Sequence, residues 1–146
     1  MIDFYKCQYH FNASHSFDGN KEQAHSHTLT MILYIRNHSG RDMDFKRLDR
    51  MIEIFLGRYE SLYLNELSCF AGNASIEAIG DYFYEQLKIK LSELNAELMQ
   101  LDIGDTPLGV YQVCDHILLP TVNEKRSREN LEAILFYKKQ MPDQKK

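Results

Sequence analysis

The chain has 146 residues, 44% of them hydrophobic and 26% charged, with a formal net charge of -4. This is the balance of one ordinary globular domain, and it excludes a disordered chain and any general attraction for nucleic acid or an anionic membrane. Apolar runs are too short to span a bilayer, and the start MIDFYKCQYHF is not expected to act as a signal peptide. Three widely spaced cysteines, Cys7, Cys69 and Cys114, suit neither a disulfide framework nor a cysteine zinc site, so a cytoplasmic protein is expected.

In chain order, residues 5 to 15 alternate, with Cys7, Tyr9, Phe11 and Ala13 on one side and Lys6, Gln8 and Asn12 mostly opposite, which predicts a half-buried strand. A polar loop containing Asp18, Gly19 and Asn20 follows. Alternation resumes with Leu29, Met31, Leu33 and Ile35, and Asn37 to Gly40 ends it. Phe45, Leu48, Met51, Ile52, Phe55 and Leu56 form one helical stripe, with Asp42 or Asp44 available as its cap. After a connection from Tyr59 to Asn73, Ser75 is the expected cap of a second helix bearing Ile76, Ile79, Phe83, Leu87 and Leu91. Residues 97 to 103 alternate again, GDTPLG reads as a turn, and Gly109 to Cys114 make a last short strand. A third helix is expected over about 127–140. The order is β-β-α-α-β-β plus a terminal helix: an α+β single domain over 1–146, with an antiparallel sheet and both helices on one face.

Three of the six histidines, His15, His25 and His27, fall within thirteen residues. His15 continues the face of Phe11 and Ala13, while His25 and His27 share the parity of Leu29 and Met31. If the two strands pair as a hairpin, all three imidazoles sit at one end of the inner face. Three protein ligands with an open fourth position is the arrangement of a catalytic zinc site. On the sequence a metal centre and a group of ordinary loop histidines both remain open. His10, His38 and His116 have no such company and read as solvated.

At these residues the chain resembles the 6-pyruvoyltetrahydropterin synthase family, which includes bacterial 6-carboxytetrahydropterin synthase. FNASHSF resembles the family's F-x-A-x-H, AHSH its H-G-H, GRDMDF its G-M-V-x-D-F, SLYLNEL the tail of its L-D-H-x-x-L-N, ASIEAIG its P-T-x-E-N-x-A, and LDIGDTP its strand ending in E-T-P. The matches run in order from about residue 4 to 113. The resemblance implies a tunnelling fold of β-β-α-α-β-β subunits that assemble as homohexamers with sites between subunits. It implies zinc (Zn2+) on His15, His25 and His27, and a small-molecule pterin substrate, dihydroneopterin triphosphate, as the partner, without nucleic acid or membrane.

The departures bear on catalysis. Where the family carries its catalytic cysteine this chain has Lys21, but one branch carries E-x-x-H-G-H with a glutamate serving instead, and Glu22 fits that spacing. Glu22 reads equally as a solvated loop carboxylate. The family's Asp-His relay falls on Glu60 and Ser61, and a serine cannot shuttle protons near neutral pH as histidine does. The carboxylate implied to anchor the pterin is Asp105, one methylene shorter than the family's glutamate, with Thr106 beside it. Glu77 matches the glutamate after the family's threonine, for which Ser75 stands in; both are equally at home in the first turn of a helix. The implied activity is that of a zinc-dependent lyase with Glu22 as its base; the competing reading is a non-catalytic zinc- and pterin-binding member.

Overall fold

The computed structural model describes residues 3–16, 20–106 and 108–115, all within one compact unit, Met1–His116. The helix expected over 127–140 and His116 lie outside the described residues. Four strands, β1 (Tyr5–His15), β2 (His25–Asn37), β3 (Ala96–Thr106) and β4 (Gly109–Cys114), form one antiparallel sheet in the order β1-β2-β3-β4. Between β2 and β3 run α1 (Phe45–Gly57) and α2 (Ile76–Ser92). Asp44 caps α1 by accepting from Arg47 N, and Ser75 caps α2 by accepting from Ala78 N, so each helix begins where a short side-chain oxygen can satisfy its first amides.

Alternation decides which face of the sheet is buried. Phe11 and Ala13 of β1, Leu29, Met31, Leu33 and Ile35 of β2, and Leu101 and Ile103 of β3 meet Leu48, Ile52 and Phe55 of α1 and Ile79, Phe83 and Leu87 of α2 in a single core. Phe83 lies at its centre, with ring centroids 5.0 Å from Phe55, 4.8 Å from Tyr59 and 5.7 Å from Phe11. The other face is polar: His10 contacts Gln8 and Thr30, and Asp102 accepts from Tyr34, Gln100 and Gln112. Burial, followed by the hydrogen bond to Asp102, pushes the Tyr34 phenol up to about 12.

The structure narrows the turn read from GDTPLG to the residues between Thr106 and Gly109. β3 runs on through Thr106, which pairs with Gly109, and the register shifts between Ile103 and Thr106. Gly104 makes this possible, because a Cβ there would lie 2.8 Å from the Gly109 carbonyl oxygen. β2 likewise starts earlier than its hydrophobic alternation suggests, so that His25 and His27 belong to the strand itself.

Candidate metal centre

Register brings the histidines together. β1 and β2 pair with His15 opposite His25 and Ala13 opposite His27. Ring centroids of His15 and His27 are 5.6 Å apart, as are those of His25 and His27. β3 joins from the other side of β2, with Thr30 opposite Gly104 and Asp105 one step beyond. Asp105 shares the parity of Leu101 and Ile103, so β1, β2 and β3 each carry, at the same end of the sheet, a side chain of a type able to bind a metal.

Asp105 Oδ2 lies 3.4 Å from His15 Nε2 and 3.8 Å from His27 Nε2. One donor atom from each of His15, His27 and Asp105 falls within 4.8 Å of the others, while His25, exposed on the rim, is not part of that group. His15 is fully buried, and its Nδ1 donates to the Ala74 carbonyl at 2.9 Å. A carbonyl oxygen can only accept, so Nδ1 carries the proton and, in neutral imidazole, Nε2 presents its lone pair toward Asp105. Such a backbone bond on the far nitrogen is how proteins fix a ligating histidine.

The chain just after β1 is held as firmly. Asn65 Oδ1 accepts from Ser16 N at 2.9 Å, and Asn65 Nδ2 donates to Ser16 O and Gly72 O, each at 2.9 Å. Asn65 sits on a short 3-10 turn, Leu64–Glu66, between the two helices. Neither this clamp nor the Ala74 contact is signalled by local periodicity.

The remaining residues are distributed around this group. Glu22 is exposed on a 3-10 turn, Lys21–Gln23, immediately ahead of β2, where Asn20 accepts from its backbone N–H. Lys21, at the family's cysteine position, donates to Glu66 at 3.0 Å and lies over the Tyr63 ring. Thr106 is exposed at the end of β3. Glu77 is exposed in the first turn of α2, where its charge helps hold the Tyr111 phenol above its ordinary range, behind the larger effects of the hydrogen bond to Asp81 and burial. A cleft of about 320 Å³ opens beside His27, lined also by Asn12, Ser14, Ser26, Thr28 and Ser61.

Glu60 and Ser61 occupy the positions of the family's relay but are engaged with β1. Glu60 accepts from the Asn12 backbone N–H at 3.0 Å and from Asn12 Nδ2 at 3.1 Å. Ser61 has a positive φ of 61° and donates its backbone N–H to the Asn12 carbonyl at 2.6 Å. His38 pairs with Glu97 at 2.8 Å on the surface, and Cys7, Cys69 and Cys114 are unbridged. No helix among the described residues is long and apolar enough to cross a membrane.

Comparison with known proteins is consistent with this geometry. Residues 5–115 match the family model described as 6-pyruvoyl tetrahydropterin synthase. No curated protein sequence matches significantly. Among solved structures, the chain is similar to the Caenorhabditis elegans 6-pyruvoyl tetrahydropterin synthase, with 16% identity, a TM-score of 0.61, and 79% of this chain and 98% of that one covered. It is similar to the Plasmodium vivax synthase at 15% identity and a TM-score of 0.55, covering 79% and 99%. The Plasmodium vivax protein has also been solved with a glutamate, described as a catalytic residue, replaced by alanine; that structure matches at 15% identity and a TM-score of 0.53, covering 79% and 99%.

Proposed function

Since the chain belongs to the 6-pyruvoyl tetrahydropterin synthase family, we propose that it is a zinc-dependent pterin-processing lyase acting on dihydroneopterin triphosphate. The observation that supports this reading best is the convergence of His15 and His27, with Asp105, at one end of the buried face. Imidazole nitrogens are donors that zinc accepts, so His15 and His27 fit the ion, with His25 as the third imidazole. Bound zinc would supply Lewis-acid polarisation of the substrate's side-chain oxygens. Glu22 takes a proton from that side chain, and a glutamate described as catalytic in the Plasmodium vivax relative supports a carboxylate in this role. Asp105 and Thr106 orient the pterin ring, Glu77 adds a further acceptor, and triphosphate leaves. The active assembly is a hexamer, in which neighbouring subunits wall the site.

A second reading, a non-catalytic zinc- and pterin-binding protein with a regulatory role, draws support from one observation. Glu60 and Ser61 are committed to holding β1, so the usual relay has no counterpart there. Incubating zinc-loaded protein with dihydroneopterin triphosphate and identifying the pterins formed separates the two. A rearranged pterin with released triphosphate supports the lyase; substrate bound and recovered intact supports the binding role.

A further inference from the structure

We infer that Asp105 is itself a metal ligand, through Oδ2. This rests on the metal reading above and extends it, since that reading gives Asp105 only to the pterin ring. Donor atoms ~2.0–2.2 Å from a tetrahedral ion are about 3.3–3.6 Å from one another. The Asp105 Oδ2 separations of 3.4 Å to His15 Nε2 and 3.8 Å to His27 Nε2 lie at that spacing or within a few tenths of an ångström of it. The orientation of His15 argues the same way. With its Nδ1 donating to the Ala74 carbonyl, His15 turns its other ring nitrogen, Nε2, toward Asp105 Oδ2, the arrangement in which a backbone bond orients a ligating imidazole.

Asp105 is also suited to the task by length. At the end of β3, the strand paired with β2, it lies diagonal to His27, and its short side chain keeps Oδ2 beside the two imidazoles. With His25 as well, the chain would offer four donors, the number of a closed site rather than of one that keeps a position open. Such a site would favour metal retention over turnover, in keeping with the lost relay.

Titration of metal-free protein with Co2+, followed by visible absorption, tests this in wild type, Asp105→Asn and His15→Ala/His27→Ala. Circular dichroism of each protein confirms folding. Wild type is expected to take up one Co2+ per chain. Asp105→Asn, nearly isosteric, is expected to bind at least about 10-fold more weakly and with shifted bands, since even partners outside the coordination shell cost 10–100-fold. Unchanged affinity in Asp105→Asn, or weaker binding with unchanged bands, overturns Asp105 as a ligand while leaving the histidine site standing, provided the double variant loses Co2+. Absence of Co2+ binding in wild type overturns both.

Discussion

Asn65 grips Ser16 by both backbone groups, accepting from its N–H and donating to its carbonyl at 2.9 Å each. Because Ser16 follows His15 directly, this amide fixes the end of β1 on which the buried imidazole depends. Asn65→Ala would leave buried backbone groups unsatisfied, and is expected to lower unfolding free energy by about 2–4 kcal/mol. Urea denaturation of the metal-free protein measures this. Metal affinity should fall in parallel, through loss of placement rather than loss of a ligand.

Metal content tests the histidines by subtraction. Protein purified without chelator is expected to hold close to one metal per chain by elemental analysis. A His25→Ala/His27→Ala variant should lose most of it, and full occupancy in that variant would remove these residues from the site.

Glu22 stands on an exposed turn three residues before His25, and the lyase reading gives it the proton-abstracting role. Glu22→Gln is expected to reduce turnover about 10²-fold or more, the usual scale for acid–base residues. Its metal content should match wild type, since Glu22 is not proposed as a ligand. Equal turnover in both proteins would take Glu22 out of the mechanism.

Assembly follows from the sheet edges. Among the described residues, the outer edge of β1 is covered near Asn12 and Ser14, by Glu60, Ser61, Leu62 and Tyr63, and no described strand covers the outer edge of β4. Open edges invite pairing with other chains. A closed hexamer is expected by light scattering at micromolar concentration, and a stable monomer would exclude it.

Alkaline pH should destabilise the fold through its tyrosines. The Tyr34 phenol, raised chiefly by burial and then by Asp102, is held at about 12 against an unfolded value of 10.0. Burial and acceptance by Asp49 and Asp115 push Tyr9 and Tyr84 up as well. A raised acid keeps its proton longer in the folded chain, so the stability it contributes is complete below pH 10 and is lost as pH rises through 12 for Tyr34. Absorbance titration of tyrosinate should show late-ionising groups, and unfolding free energy should fall across that window.

Local pattern was enough for much of this fold. Phe11 and Ala13 lie on the expected face of β1, Asp44 and Ser75 cap the expected helices, and parity alone put His15 and His27 on one side of the sheet. The start of β2 carries His25 and His27 where apolar residues would continue the inward stripe, so hydrophobic alternation does not mark it, although parity put both histidines on the face of Leu29 and Met31. Asp105 stood out in the sequence only through the family resemblance, and not as a neighbour of the histidines. Its place depends on how β3 pairs with β2 and on the irregular end of β3 that Gly104 permits. The contacts of Asn65 and Glu60 with β1 span 48 or 49 residues of sequence and leave no periodic trace.

Anomalous diffraction at the zinc edge, from crystals grown with zinc, would locate the ion itself. One peak per chain is expected, about 2.0–2.1 Å from both His15 Nε2 and His27 Nε2. A zinc-loaded crystal with no density there, or with its ion at a surface pair such as His38 and Glu97, is incompatible with a metal centre at the end of the buried face.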